Sequence, residues 1–121
     1  TPLYSSAASD VYKRQAREIP YTSNQQRHYA IVVDKRGRLI SSAANSYVKT
    51  STVMAKAAKR VGLEHKVFCH AEQLALVRSK GKGYKLYVAR VLSDGTVANS
   101  EPCPVCALLL SESHIKEVEY T

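Results

Sequence analysis

The chain of 121 residues contains no apolar run near the roughly 18–20 residues that a bilayer-crossing helix requires. It also lacks the basic start, apolar centre and small-residue cleavage site of a secretory leader, so a soluble protein is expected. Cysteine is scarce and odd in number, with three residues, which excludes the disulfide framework of a small secreted domain. No internal repeat or low-complexity segment is present, which excludes a repeat array. Acidic residues are few: ten Asp and Glu stand against eighteen Lys and Arg, giving a net charge of +8 and a pI near 9.5. An excess of that size favours a polyanionic partner, although a general solubility role gives the same count.

A hydrophobic share of 45% is enough for a real core. The length is too short for two cores, so one domain is expected. Residues 1–15 show neither helical nor strand periodicity. They are set aside as a non-domain segment, disordered or derived from a junction, leaving residues 16–121 as the single domain. Removing Lys13, Arg14 and Asp10 with that segment still leaves an excess of seven positive charges.

Residues 27–35 read as a strand centred on Ile31, Val32 and Val33. Asp34-Lys35-Arg36-Gly37 turns the chain, and residues 38–44 pair back as a hairpin. Residues 51–61 read as a helix capped by Ser51 or Thr52 and ended by Gly62, with Val53, Met54, Ala57, Ala58 and Val61 on its apolar face. A second helix is expected from about residue 70 to 79, broken by Lys80-Gly81-Lys82-Gly83. The near-continuous apolar run of residues 84–92 suits a central strand. Ser93-Asp94-Gly95 turns into a loop reaching Pro102, a third helix starts near Cys103, and residues 115–120 form a last strand.

Two short motifs carry chemistry: His70-Ala71-Glu72 at one helix start, and Pro102-Cys103-Pro104-Val105-Cys106 at another. Each is weak alone, but 33 residues apart with a strand between them they form a strong pair. Zinc takes nitrogen and thiolate ligands in a tetrahedron, and a catalytic zinc keeps one corner open. Cysteines at i and i+3 of a helix start can aim both sulfurs at one ion, and the unpaired N–H groups there favour thiolates. Pro102 suits the approach to that helix and Pro104 its first turn. His70, Cys103 and Cys106 are therefore candidate ligands of one Zn2+, leaving a position for water whose pKa falls toward neutrality. Glu72 is the candidate proton carrier.

H-x-E followed by P-C-x-x-C resembles the zinc-dependent nucleobase deaminases of the cytidine deaminase-like superfamily, over roughly residues 27–121. The resemblance implies an α/β fold, a three-layer α/β/α sandwich with a mixed sheet of about four to five strands and both zinc-bearing helices on one face. It implies hydrolysis of cytosine to uracil with release of ammonia. Histidine as first ligand is similar to deoxycytidylate, tRNA-adenosine and nucleic-acid cytosine deaminases, whereas free-nucleoside enzymes usually carry cysteine. Many relatives continue with another strand and helix where this chain ends.

By resemblance, Asn45 matches a nucleotide-binding asparagine, with a plain turn residue as its alternative, and Ala71 offers a backbone N–H to the pyrimidine carbonyl. Tyr47 can stack on a base or sugar. Pro102 completes the candidate substrate contacts. Lys49, Lys80, Lys82 and Arg38 are candidate nucleic-acid contacts if they border the pocket, and a solvated surface if dispersed. His28, His65 and His114 lack ligand spacing and read as surface or packing residues. Cys69 as a fourth ligand would close the site, and a redox pair is the other alternative for Cys103 with Cys106; a buried apolar role for Cys69 fits better.

The leading expectation is a cytosine deaminase acting on nucleic acid, DNA favoured over RNA. Alternatives are a deaminase of free deoxycytidylate or cytidine, an adenine-directed enzyme, and a non-catalytic zinc-containing nucleic-acid-binding module. A reducing cytoplasm is the expected setting, in its own cell or in one that receives it.

Overall fold

The computed structural model describes residues 8–20, 26–65 and 68–121. In chain order these form α1 (Ala8–Glu18), β1 (Arg27–Val33), β2 (Leu39–Ala44), α2 (Thr52–Arg60), α3 (Ala71–Ser79), β3 (Lys85–Val91), β4 (Val97–Ala98), α4 (Pro104–Ser111) and β5 (Glu117–Tyr120). Among the described residues no helix is long and apolar enough to cross a membrane.

Side-chain alternation along two strands generates the layers. β1 and β3 run antiparallel, from Arg27 opposite Val91 to Val33 opposite Lys85. Ala30, Val32, Leu86 and Val88 point to one face and pack with Ala71 and Ala75 of α3 and Leu110 of α4. Ile31, Val33, Tyr87, Ala89 and Val91 point to the other face and pack with Ala16 of α1. The architecture is thus helix, sheet, helix, as the resemblance implied. The second helical layer is deepened by α2, whose Met54, Ala57 and Ala58 cover Val105 and Cys106 of α4.

β2 pairs antiparallel with β1 across the Asp34 turn, with a bulge between Val32 and Val33. The Asp34 carboxylate accepts from the backbone N–H groups of Arg36 and Arg38, each at 2.9 Å, and pairs with the Arg38 side chain. The far edge of β3 is divided: β4 takes Arg90 and Val91 antiparallel, and β5 takes Lys85 to Val88 in parallel. The result is a mixed sheet of five strands.

The helix boundaries follow their caps. Ser51 accepts from the Met54 N–H at 3.3 Å and starts α2, and Gly62, with φ of +75°, follows its end. Lys80 turns left-handed to stop α3. Val53 does not share the buried face of α2 but stands 44% exposed at its first turn.

Two elements depart from the sequence expectation. β4 forms where a plain loop was expected, because the turn at Asp94 and Gly95 brings Val97 back beside Val91. Residues 8–15, expected to lack regular structure, belong to α1. The cause is tertiary: the buried Arg27 guanidinium donates to the Arg17 and Ile19 carbonyls, at 3.3 and 3.1 Å, and also to that of Leu92. It satisfies the open C-terminal end of α1 and ties it to the end of β3. Residues 1–7 lie outside those described.

Arg27→Met removes three part-buried hydrogen bonds to backbone carbonyls and is expected to lower the unfolding free energy by about 1–3 kcal/mol. Urea denaturation followed by circular dichroism measures this, and an unchanged midpoint would remove the clamp from the account of α1.

Candidate active site

α3 and α4 each begin at an extended N-cap residue, His70 and Cys103, and neither side chain caps its own helix. They turn toward each other instead. His70 Nδ1 lies 3.5 Å from Cys103 Sγ and 3.4 Å from Cys106 Sγ, one turn into α4. All three donor atoms fall within 4.8 Å of one another. Tetrahedral zinc, with Zn–S of about 2.3 Å and Zn–N of about 2.0–2.1 Å, sets nitrogen and sulfur about 3.6 Å apart. The observed separations fit that ion.

The group is ready for a cation in its protonation as well. The Cys106 side chain, hydrogen-bonded to Cys103, together with His70 holds the Cys103 thiol down at about 3. The same bond to Cys103, with burial, pushes the Cys106 thiol far above the usual range.

The sequence profile of the cytidine and deoxycytidylate deaminase zinc-binding region matches residues 6–121. The chain belongs to this family. It is a zinc-dependent deaminase, a hydrolase whose cofactor is zinc, and His70, Cys103 and Cys106 are the described residues able to hold the ion. Among solved structures it is similar to a Glu-to-Gln variant of cytidine deaminase from Mycobacterium tuberculosis, with a TM-score of 0.48 and 20% identity over 90% of this chain and 83% of that one. No curated protein matches it.

The group of His70, Cys103 and Cys106 lies at a cleft of about 430 Å³, which His70 and Cys103 line. Glu72, in the first turn of α3, lines that cleft yet is only 5% exposed. Burial raises its pKa, opposed by the nearby His70. A carboxyl so placed can take and return a proton beside the ion.

Asn45, Tyr47 and Ala71 are brought to the cleft. Asn45 is also a clasp between strand ends: its Oδ1 accepts from His28 N–H at 2.9 Å and its Nδ2 donates to the Gln26 carbonyl at 3.0 Å. The Tyr47 hydroxyl accepts from Gln26 N–H at 2.8 Å, and its ring remains 40% exposed. Ala71 is buried at the start of α3, where backbone N–H groups lack helical acceptors. Pro102 is half-buried and does not line the cleft. Lys49 is exposed on the loop that carries Tyr47, but stands outside the lining.

Lys80, Lys82 and Arg38 are not brought to the deaminase cleft. The two lysines follow the far end of α3, a helix about 13 Å long. Arg38 precedes β2 at the end opposite Asn45, about 20 Å along the strand, and is held by Asp34. Cys69 is buried outside the ligand group. Its backbone holds the rim loop: Cys69 N–H donates to the Lys49 carbonyl and Ser46 N–H to the Cys69 carbonyl, both at 2.9 Å.

Sequence reasoning missed several residues. His28 lines the cleft, and burial, with Arg90 and His70, lowers its pKa to about 4, so its imidazole is neutral. Arg90 sits directly opposite it on β3. Strand alternation carried the signal, because His28 continues the Ala30 and Val32 face and Arg90 the Leu86 and Val88 face. His65, Phe68, Asn99 and Glu101 also line the cleft. Ser100, only 3% exposed, donates to the Val88 carbonyl at 2.8 Å and accepts from Thr121 N–H at 2.7 Å, pinning the approach to Cys103.

Elemental analysis should find about one zinc per chain in the wild type and in Cys69→Ala, and none in Cys106→Ala. Equal zinc loss in the Cys69 variant would place that sulfur on the ion. Zinc binding near neutral pH should release protons from the paired thiols, so affinity falls on acidification. Calorimetry in buffers of differing ionisation enthalpy reads that release directly, and heats independent of the buffer would show that both thiols are already ionised.

Proposed function

We propose that this chain hydrolyses the exocyclic amine of cytosine, giving uracil and ammonia, on a base presented by nucleic acid, with DNA favoured over RNA. The observation that carries the reading is Glu72, a buried carboxyl on the cleft wall, within the helix turn that follows His70. A closed, structural metal site has no use for it. When bound, zinc supplies the field that lets water ionise near neutral pH.

Glu72 takes a proton from the attacking water and delivers one to the ring nitrogen of cytosine. It then assists protonation of the departing amine, so that water and cytosine become uracil and ammonia and the carboxylate is restored. Its raised pKa suits this role, because a protonated state is reached without a large penalty. The N–H of Ala71, at the start of α3, is available to the pyrimidine carbonyl. Neutral His28 can donate or accept a hydrogen bond without adding charge to the pocket.

Presentation on nucleic acid is supported by the rim. Tyr47 and Phe68 are each 40% exposed beside the opening and offer ring faces on which neighbouring bases can stack. Lys49 lies on the same loop, and the net charge of +8 favours a polyanion. The second reading, free deoxycytidylate or cytidine, is favoured by the remoteness of Lys80, Lys82 and Arg38. Among the described residues lining the cleft, Arg90 alone is a lysine or arginine.

Glu72→Gln is expected to keep its zinc and lose about 10²- to 10⁴-fold in ammonia release. The assay incubates the wild type and this variant with deoxycytidylate, cytidine, single-stranded DNA, duplex DNA and RNA, and quantifies uracil and inosine. Undiminished turnover in the variant would exclude the mechanism, and turnover of mononucleotides alone would select the second reading.

A further inference from the structure

We propose that Arg90 binds the phosphate carried by the sugar of the target nucleotide, so that the chain selects phosphate-bearing cytosine over the bare nucleoside. The inference rests on the deaminase reading above and adds to it the chemical class of substrate and the residue that recognises it.

β3 is a buried strand, and an arginine there needs a reason. Its predecessors on the same face, Leu86 and Val88, are fully buried in the core. Arg90 occupies the next position of that stripe, where the apolar face ends and the cleft begins. Its backbone N–H is satisfied by Thr121 Oγ1 at 3.3 Å, so the strand does not require its side chain. Its Nε is buried without a hydrogen-bond acceptor. Among the described residues the ion pairs join Arg38 to Asp34, Arg60 to Glu112, and Lys85 to Glu117 and Glu119, and none includes Arg90. Glu101 lines the same cleft and does not pair with it.

A half-buried arginine whose Nε is shut off from water with no acceptor and no counter-charge is costly unless a ligand supplies the anion. That ligand must reach it through the cleft, which also holds His70, Cys103 and Glu72. Cytosine and its sugar are uncharged near neutral pH, so the anionic part of such a substrate is its phosphate. The planar fork of arginine matches paired phosphate oxygens. Asn99, also on the cleft, spends its Oδ1 on the Glu101 N–H at 3.0 Å and keeps its amide N–H groups for a ligand. A cleft of about 430 Å³ is of the size that encloses one small ligand. The phosphate can be the monoester of a free nucleotide or a diester within a strand, and the same contact serves both.

The test uses the zinc-loaded full chain and compares deoxycytidine, deoxycytidylate and a single-stranded oligodeoxynucleotide with one cytosine. The wild type is expected to prefer a phosphate-bearing substrate. Arg90→Gln should lower the kcat/KM ratio of that substrate over deoxycytidine by about 10- to 100-fold, through KM, and Arg90→Lys should restore part of it. Preference for deoxycytidylate assigns the monoester, and preference for the oligonucleotide assigns the diester. An equal loss on all three substrates, or a wild type that prefers deoxycytidine, overturns the proposal.

Calorimetric binding of deoxycytidylate and deoxycytidine to zinc-loaded Glu72→Gln, with and without Arg90→Gln, separates this claim from the deaminase reading. If the wild type deaminates nothing but deoxycytidylate binding depends on Arg90, deamination fails and the phosphate contact stands. If both ligands bind alike with or without Arg90, the phosphate contact fails. Should Arg90→Gln not fold, Arg90→Lys carries the comparison, with a partial loss of the ratio expected and an unchanged ratio overturning the contact.

Discussion

A helix start leaves N–H groups without acceptors, and here two starts are aimed at one point. The residues preceding α3 and α4 put an imidazole and a sulfur where caps usually sit, and both side chains face each other instead. The positive ends of two helix dipoles therefore bear on the same thiolate charge. Two thiols and an imidazole held this close, with Cys106 and Glu72 almost out of solvent, form a poor arrangement for a protein alone and a good one around a divalent ion. Much of the remaining fold keeps these two starts in register. α3 packs on β1 and β2, α2 holds α4 through Met54, Ala57 and Ala58, and Ser100 fixes the approach to Cys103.

The sheet contributes through a change of character along one face. Ala30, Val32, Leu86 and Val88 are buried beneath α3, and the next residue on that face of each strand toward the cleft is polar, His28 on β1 and Arg90 on β3. The same stripe that supplies the core thus becomes the wall of the cleft where helical cover ends. The site is a continuation of the hydrophobic layer and is positioned as firmly as that layer is.

The strongly patterned parts of the chain were legible from sequence. Ile31, Val32 and Val33 made a strand, Ser51 marked a helix start that its hydroxyl does cap, and the paired motifs placed His70, Cys103 and Cys106 together. α1 was not legible because its order comes from Arg27, a residue outside the helix, and its own sequence is dominated by charged and polar side chains. β4 was missed because two residues are too short for alternation to register. The basic residues misled for a related reason: charge can be counted along a chain, but which end of α3 or β2 it occupies is decided by packing. Lys80, Lys82 and Arg38 went to the far ends, and Arg90, hidden in an apolar run, went to the cleft.

The backbone bonds around Cys69 bind the loop of Ser46 to Lys49 to the segment that delivers His70. Ser46 adds its hydroxyl oxygen to the Val48 and Lys49 N–H groups, at 3.1 and 2.9 Å, so the loop has little slack of its own. Any ligand that enters over Tyr47 meets a surface already shaped, and little ordering entropy opposes its capture. The rim and His70 are neighbours in one stitched strip of chain, so a shift at the mouth is also a shift at that imidazole.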